Sequence, residues 1–236
     1  MKQDITKYKA VIFDLFGTLI DSYRYKEYQN VLRQMASVLT VSVDAFRQLW
    51  SETAYERNTG VIRTIEANIE YICRKLGVSV DNIKIRLATK IRYDFVANTM
   101  RARQNAIDVL SYLQSQGLKI GLISNCPPEI PLIWKDTPFA PFFDIAVFSC
   151  VVGVQKPDPR IYKLAIERLV TKPEACLYIG DGDEYELTGA AQIGMHPVLI
   201  RVPSEDRADV YRVGAEREEW AGPVISSLKE VLTLLE

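Results

Sequence analysis

Apolar residues along this chain fall into two kinds of run. Short unbroken stretches, Ala10-Val11-Ile12-Phe13, Ile120-Gly121-Leu122-Ile123, Ile145-Ala146-Val147-Phe148, Cys176-Leu177-Tyr178-Ile179 and Pro197-Val198-Leu199-Ile200, read as strands covered on both faces. Between them apolar residues recur at helical spacing. Ile107, Leu110 and Leu113 form one such stripe, closed by Gly117, and Tyr162, Ala165, Ile166 and Leu169 form another. Glu186 to Ile193 reads as a helix stopped near Gly194, and Val224 to Leu235 as a closing helix.

The stretch from Asp21 to Arg103 has a different character. Val31, Leu32, Met35, Val38 and Leu39 make one helical stripe, and Ile65, Ile69, Ile72 and Leu76 another, ending at Gly77. Arg86 to Thr99 reads as a weaker helix, and few runs in this region look like buried strands. The expected architecture is therefore α/β: a doubly wound parallel sheet from residues 1–20 and 104–236, with an all-helical insertion at 21–103. Parallel sheets of this kind bind ligands outside the carboxyl ends of their strands. Asp14, Ser124 and Asp181 each follow a strand and are expected to converge there.

Composition narrows the classes of function. The 236 residues carry a formal net charge of -1, which provides no field to gather nucleic acid or an anionic membrane. No stretch approaches the ~20 apolar residues of a membrane helix. Met1-Lys2-Gln3-Asp4 opens without a signal-peptide layout, so a cytoplasmic monomer or homodimer is expected. Cys73, Cys126, Cys150 and Cys176 are scattered without metal-ligand spacing and read as thiols, since a chain of this size can bury a core without disulfides. His196, the only histidine, precedes Pro197 and reads as structural or surface. Trp50, Tyr55 and Tyr93 read as core of the helical insertion.

At the strand ends the residue types suit phosphate chemistry. Asp14 and Asp181 offer oxygen ligands for a hard cation such as Mg²⁺, which commonly engages phosphate as well. Ser124 and Asn125 can donate to phosphate oxygens, and Lys156 supplies a compact positive charge. A carboxylate can also act as a covalent nucleophile. Tyr23 and Arg24, at the entry to the insertion, are candidates for contacting substrate.

Four segments, in order, resemble the motifs of the haloacid dehalogenase superfamily: Phe13-Asp14-Leu15-Phe16-Gly17-Thr18-Leu19, then Ile123-Ser124-Asn125, then Lys156-Pro157-Asp158-Pro159, then Gly180-Asp181 with Glu186 and Gly189-Ala190. The helical insertion sits where members of that family carry a cap. The resemblance implies a hydrolase in which Asp14 is nucleophile and metal ligand, while the Phe16 carbonyl and Asp181 complete the protein's share of a Mg²⁺ shell. It further implies that Thr18 and Ser124 hold the transferred group, that Lys156 orients and neutralises, and that Glu186 supports the metal indirectly, with Asp183 a nearer acidic alternative.

One position departs from the pattern. Most phosphatases of this superfamily have an aspartate two residues after the nucleophile, where this chain has Phe16. That aspartate protonates the leaving group, a role worth about 10²–10⁴ in rate. Dehalogenases of the same superfamily carry an aromatic residue there and use no metal, but they lack an acid at the position of Asp181. The expected function is a Mg²⁺-dependent phosphatase of a small phosphorylated metabolite. A 2-haloacid dehalogenase-type hydrolase and a catalytically impaired binding or regulatory protein are the alternatives.

Overall fold

The computed structural model describes residues 7–203, 209–211 and 218–235; the reading of Met1–Asp4 lies outside them. Six strands, β1 (Ala10–Phe13), β2 (Lys119–Ser124), β3 (Ile145–Phe148), β4 (Cys176–Gly180), β5 (His196–Ile200) and β6 (Val224–Ile225), form one sheet in the order β3-β2-β1-β4-β5-β6. Every pairing is parallel. The strand order reverses at β1, between β2 and β4, so the crevice outside the carboxyl ends of β1 and β4 is the switch point where such sheets bind ligands.

The alternation of strand side chains explains the two apolar layers. Val11 and Phe13 of β1, with Leu177 and Ile179 of β4, enter the layer covered by α6 (Ala106–Ser115) and α7 (Glu129–Trp134). Ala10 and Ile12, with Cys176 and Tyr178, enter the opposite layer, covered by α9 (Pro159–Leu169) and α10 (Glu186–Gln192). Because both faces are covered, these strands are apolar throughout rather than alternating. A short helix, α8 (Ser149–Val152), follows β3.

The insertion is helical throughout, with α1 (Tyr25–Leu39), α2 (Val43–Glu52), α3 (Ala54–Asn58), α4 (Ile65–Lys75) and α5 (Asn82–Thr99). Side chains at helix entries fix where three of them begin: Ser42, Thr64 and Asp81 accept from the backbone N–H of Ala45, Ala67 and Lys84. These helices bury their own core around Leu32, Met35, Phe46, Trp50, Ile69 and Ile72. Helix α5 straddles two cores, contributing Ile85 and Ala88 to this one and Val96 to the sheet layer. The two connections to the sheet run side by side: Ile20 bridges Ala102, Arg103 N donates to Leu19 O at 2.8 Å, and Arg103 Nε to Asp21 Oδ1 at 2.7 Å.

Two expectations need correction. The closing segment is not one helix from Val224. Val224 and Ile225, a β-branched pair, extend β5 as an edge strand, and the helical part is a 3-10 helix over Leu228–Leu235. Glu230 enforces the break by accepting from Ser226 N at 3.2 Å. Tyr55 is 64% exposed rather than core, and Tyr93 is only half-buried, whereas Trp50 is buried as expected. His196 is exposed, with its Nε2 3.0 Å from Glu174 O. The four cysteines are free thiols, and no helix among the described residues is long and apolar enough to cross a membrane.

Candidate active site

Asp14 leaves the end of β1 and Asp181 the end of β4, and the two strands are hydrogen-bonded neighbours. That adjacency brings two residues far apart in sequence into one pocket. Carboxylate oxygens of Asp14, Asp181 and Glu186 lie within 4.8 Å of one another, and all three residues are buried. Lys156 Nζ reaches into the cluster, donating to Asp14 Oδ1 at 2.5 Å, Glu186 Oε2 at 2.6 Å and Tyr178 OH at 3.3 Å.

Two glycines make this density possible. A side chain on Gly17 would place its Cβ 2.2 Å from Asp181 Oδ2, so the turn after Asp14 can lie against the Asp181 carboxylate only with glycine there; its φ of +74° adds a second reason. A Cβ on Gly180 would fall 2.2 Å from Glu186 Oε1, blocking the fold-back of Glu186. Just beyond Asp181, Glu184 and Tyr185 both adopt left-handed backbone, each at a cost of roughly 1–2 kcal/mol for a residue with a Cβ. Asn125 helps hold this turn by donating to Glu184 Oε2.

Burial sets the protonation of the cluster. Desolvation raises the Asp14 carboxyl above its ordinary range against the opposing pull of Lys156, and Asp181 adds to the rise. The Glu186 carboxyl is pushed up to about 8, again by burial first and against Lys156. Burial also opposes the charge of Lys156, but Asp14 and Glu186 outweigh it and hold the ammonium protonated. Three carboxylates facing one ammonium form a site that a divalent cation would neutralise.

Glu186 has a further task that its place in the sequence did not reveal. Its Oε1 accepts from Gly182 N at 3.0 Å, while its Oε2 accepts from Lys156 and, at 2.7 Å, from Tyr178 OH. Both oxygens are thus engaged in holding Lys156 and the turn after β4. Asn125 plays a similar part: its Oδ1 accepts from Lys156 N at 2.8 Å and its Nδ2 donates to Lys156 O at 3.0 Å, clamping the lysine backbone to the loop after β2. Nothing in the local sequence announces the contribution of Tyr178, which lies within an apolar run.

A cavity of about 140 Å³ opens above the cluster, walled by Asp14, Phe16, Lys156, Asp181, Asp183, Glu184 and Glu186 below and by residues of the helical insertion above. Tyr23 lines it and packs its ring on Phe16, centroids 5.1 Å apart, with its hydroxyl buried and unpartnered. Thr18 and Ser124 do not reach the wall. Both are fully buried, and neither hydroxyl has a nitrogen or oxygen partner. Arg24 is not brought to the cavity; it is exposed at the entry to α1, where its backbone bridges Val210. The upper wall holds residues not anticipated at all: Tyr28, Arg57 and Arg92.

The family model described as haloacid dehalogenase-like hydrolase matches residues 8–194. The glyceraldehyde 3-phosphate phosphatase of Pyrococcus furiosus is 28% identical over 241 residues, covering 97% of this chain and 93% of that protein. The (S)-2-haloacid dehalogenase of a Pseudomonas species is 24% identical over 97% of this chain and 94% of its own length. A phosphatase structure from Thermococcus onnurineus shares the fold with a TM-score of 0.67 and 21% identity, covering 96% of this chain and 97% of that one. With the family model spanning both connections to the helical insertion and all the strand ends that build the acidic pocket, the chain belongs to the haloacid dehalogenase-like hydrolases.

Proposed function

We propose that the protein is a Mg²⁺-dependent cytoplasmic phosphatase of a small phosphorylated metabolite, with Asp14 as nucleophile and residues 21–103 as a cap over the site. The observation that carries this reading is the retention of Asp181 in a buried pocket where Asp14, Asp181 and Glu186 face a single lysine. Displacement of halide needs no cation, and an extra buried carboxylate would only repel the attacking one. With a cation and a phosphoryl group present, the same carboxylate becomes useful.

Asp14, Asp181 and the Phe16 carbonyl would hold the ion, and its chemistry is neutralisation of charge on the phosphoryl oxygens. Glu186 serves it indirectly by fixing Lys156 and the turn that carries Asp181. The Asp14 carboxylate attacks phosphorus, the bond to the leaving oxygen breaks, and water then hydrolyses the aspartyl-phosphate. Lys156 holds Asp14 in place and balances its charge. The hydroxyls of Thr18 and Ser124, which have no nitrogen or oxygen partner, are available to the transferred group after a small adjustment of the loops that carry them. Phe16 offers no proton, so substrates whose leaving oxygen needs none, such as aryl or acyl phosphates, are turned over best.

The test is release of inorganic phosphate from phenyl phosphate. Turnover should require Mg²⁺ and fall by about 10³-fold or more in Asp14→Asn. Phe16→Asp should raise hydrolysis of an alkyl phosphate by about 10²-fold or more, since the new carboxyl would occupy a position on the cavity wall. One observation favours a second reading, a 2-haloacid hydrolase: the aromatic Phe16 on that wall. Metal-independent release of chloride from 2-chloropropionate, lost in Asp14→Asn, would establish it and displace the first.

A further inference from the structure

We infer that the cap side of the crevice is a built subsite for a second anionic group, a carboxylate at the far end of the substrate from its phosphate, received by Arg92. This deepens the phosphatase reading and rests on it for the phosphate end.

The cavity is electrically two-ended. Its floor carries five carboxylates around Lys156, whereas its roof carries two guanidinium groups, Arg57 and Arg92. Both arginines are buried, at 4% and 2% exposure. Among the described residues the one ion pair that either makes is Arg92 Nε to Glu129 Oε1 at 2.8 Å. Arg57 instead donates to Trp50 O and Thr53 Oγ1, each at 2.7 Å. Of these two buried positive charges, one is therefore paired with a carboxylate and the other is bonded to neutral oxygens.

Arg92 is also incompletely bonded. Its Nη1 is buried with no partner, although the residue lines the cavity. Burying an unpaired donor of a charged group is costly, and a buried guanidinium fits a carboxylate through two parallel hydrogen bonds. The surroundings hold the group in position: the Arg92 guanidinium lies 5.0 Å from the Tyr28 ring and 5.5 Å from the Tyr23 ring. Tyr23 in turn packs on Phe16, two residues after the nucleophile. The path from Asp14 to Arg92 thus runs along a wall of rings, suited to a short, flat or apolar spacer between two anionic ends.

The experiment uses benzoate, a carboxylate without phosphorus, titrated by NMR into the full-length protein with Mg²⁺ present. Because Arg92→Gln alone leaves Glu129 buried without its cation and lowers stability, the comparison uses the double variant Arg92→Gln/Glu129→Gln and the single variant Glu129→Gln. Benzoate should bind the wild type, bind the double variant about tenfold or more weakly, and bind Glu129→Gln more tightly, because Arg92 is then freed from its competitor. A merely structural ion pair would not give that gain. Equal binding to wild type and double variant, or none to either, overturns the subsite.

Turnover separates the two readings. The wild type should prefer 3-carboxyphenyl phosphate to phenyl phosphate by about tenfold in kcat/KM, and the double variant should lose that preference. Hydrolysis of both esters without preference removes the subsite and leaves the phosphatase standing. Hydrolysis of neither removes the phosphatase, and the benzoate titration still decides the subsite.

Discussion

The floor and the roof of the crevice each bury an ion cluster, yet they are finished differently. On the floor, Lys156 reaches Asp14, Glu186 and Tyr178, and both oxygens of Glu186 have donors. On the roof, Arg92 and Glu129 share one hydrogen bond, with Arg92 Nη1 and Glu129 Oε2 left buried and unpartnered. A buried pair gains little net stability unless its remaining donors and acceptors are satisfied. The floor network therefore serves as a rigid mount for Asp14, and the roof pair as a charged group with unused bonding capacity. That contrast fits the proposed reading, a fixed nucleophile beneath a specificity site that ligand completes.

The largest effect should come from breaking the floor. Lys156→Met leaves Asp14, Asp181 and Glu186 buried without their cation, at a cost of about 3–5 kcal/mol in unfolding free energy. Urea denaturation measures it, and phosphate release should fall together with stability. Added Mg²⁺ should restore part of the stability but not the turnover. A variant as stable as the wild type would show that the lysine does not hold the floor together.

Breaking the roof should cost less. Glu129→Gln leaves the Arg92 guanidinium without its carboxylate but still among the rings of Tyr23, Tyr28, Trp50 and Phe95. A loss of about 1–3 kcal/mol is expected from the one hydrogen bond to a charged group. A double-mutant cycle with Arg92→Gln should give a coupling within roughly 0.5–3 kcal/mol. Because Arg92 belongs to α5 and Glu129 to α7, that coupling also measures how firmly the insertion is fastened to the sheet layer. A coupling near zero would make the roof pair irrelevant to cap placement.

The same contrast explains what was legible in the sequence. The floor residues follow buried strands, whose apolar runs are conspicuous, so Asp14, Ser124 and Asp181 could be placed at strand ends by position alone. The parallel sheet and helical insertion were readable for the same reason. Arg92 could not be found this way. The buried face of α5 is Ile85, Ala88, Arg92 and Val96, and the arginine interrupts the stripe, which is why the 86–99 pattern reads as weak. Tyr178 was obscured because it sits in a strand run; Asn125 was placed at the site and lines the cavity, but its clamp on the backbone of a residue 31 positions away could not be read. Arg24 was drawn in by proximity to Tyr23, but the backbone is extended there and successive side chains point to opposite sides, so Tyr23 faces the crevice while Arg24 lies outside. Val224 and Ile225 misled because two β-branched residues fit a helix stripe and an edge strand equally well.

The smallest effect distinguishes the floor by its response to pH. Burial pushes the Glu186 carboxyl up to about 8 and raises that of Asp14, whereas an unfolded chain releases both protons near ordinary carboxylate values. Between about pH 4.5 and 8 the folded state therefore binds more protons than the unfolded state, and stability falls as pH rises through that window. The ammonium of Lys156 is charged in both states across this range, since its own shift is upward. A cation bound to the carboxylates competes with those protons and binds more tightly as they leave. Thermal melts should then show a Mg²⁺-induced rise in Tm that is greater at pH 8 than at pH 5.5, by about 2–4 °C for each kcal/mol of linkage in a chain of this size. Asp181→Asn, which removes one ligand and leaves Lys156 with its two carboxylates, should abolish that difference while the metal-free decline with pH persists. A Mg²⁺ shift equal at both pH values would place the cation away from these carboxylates.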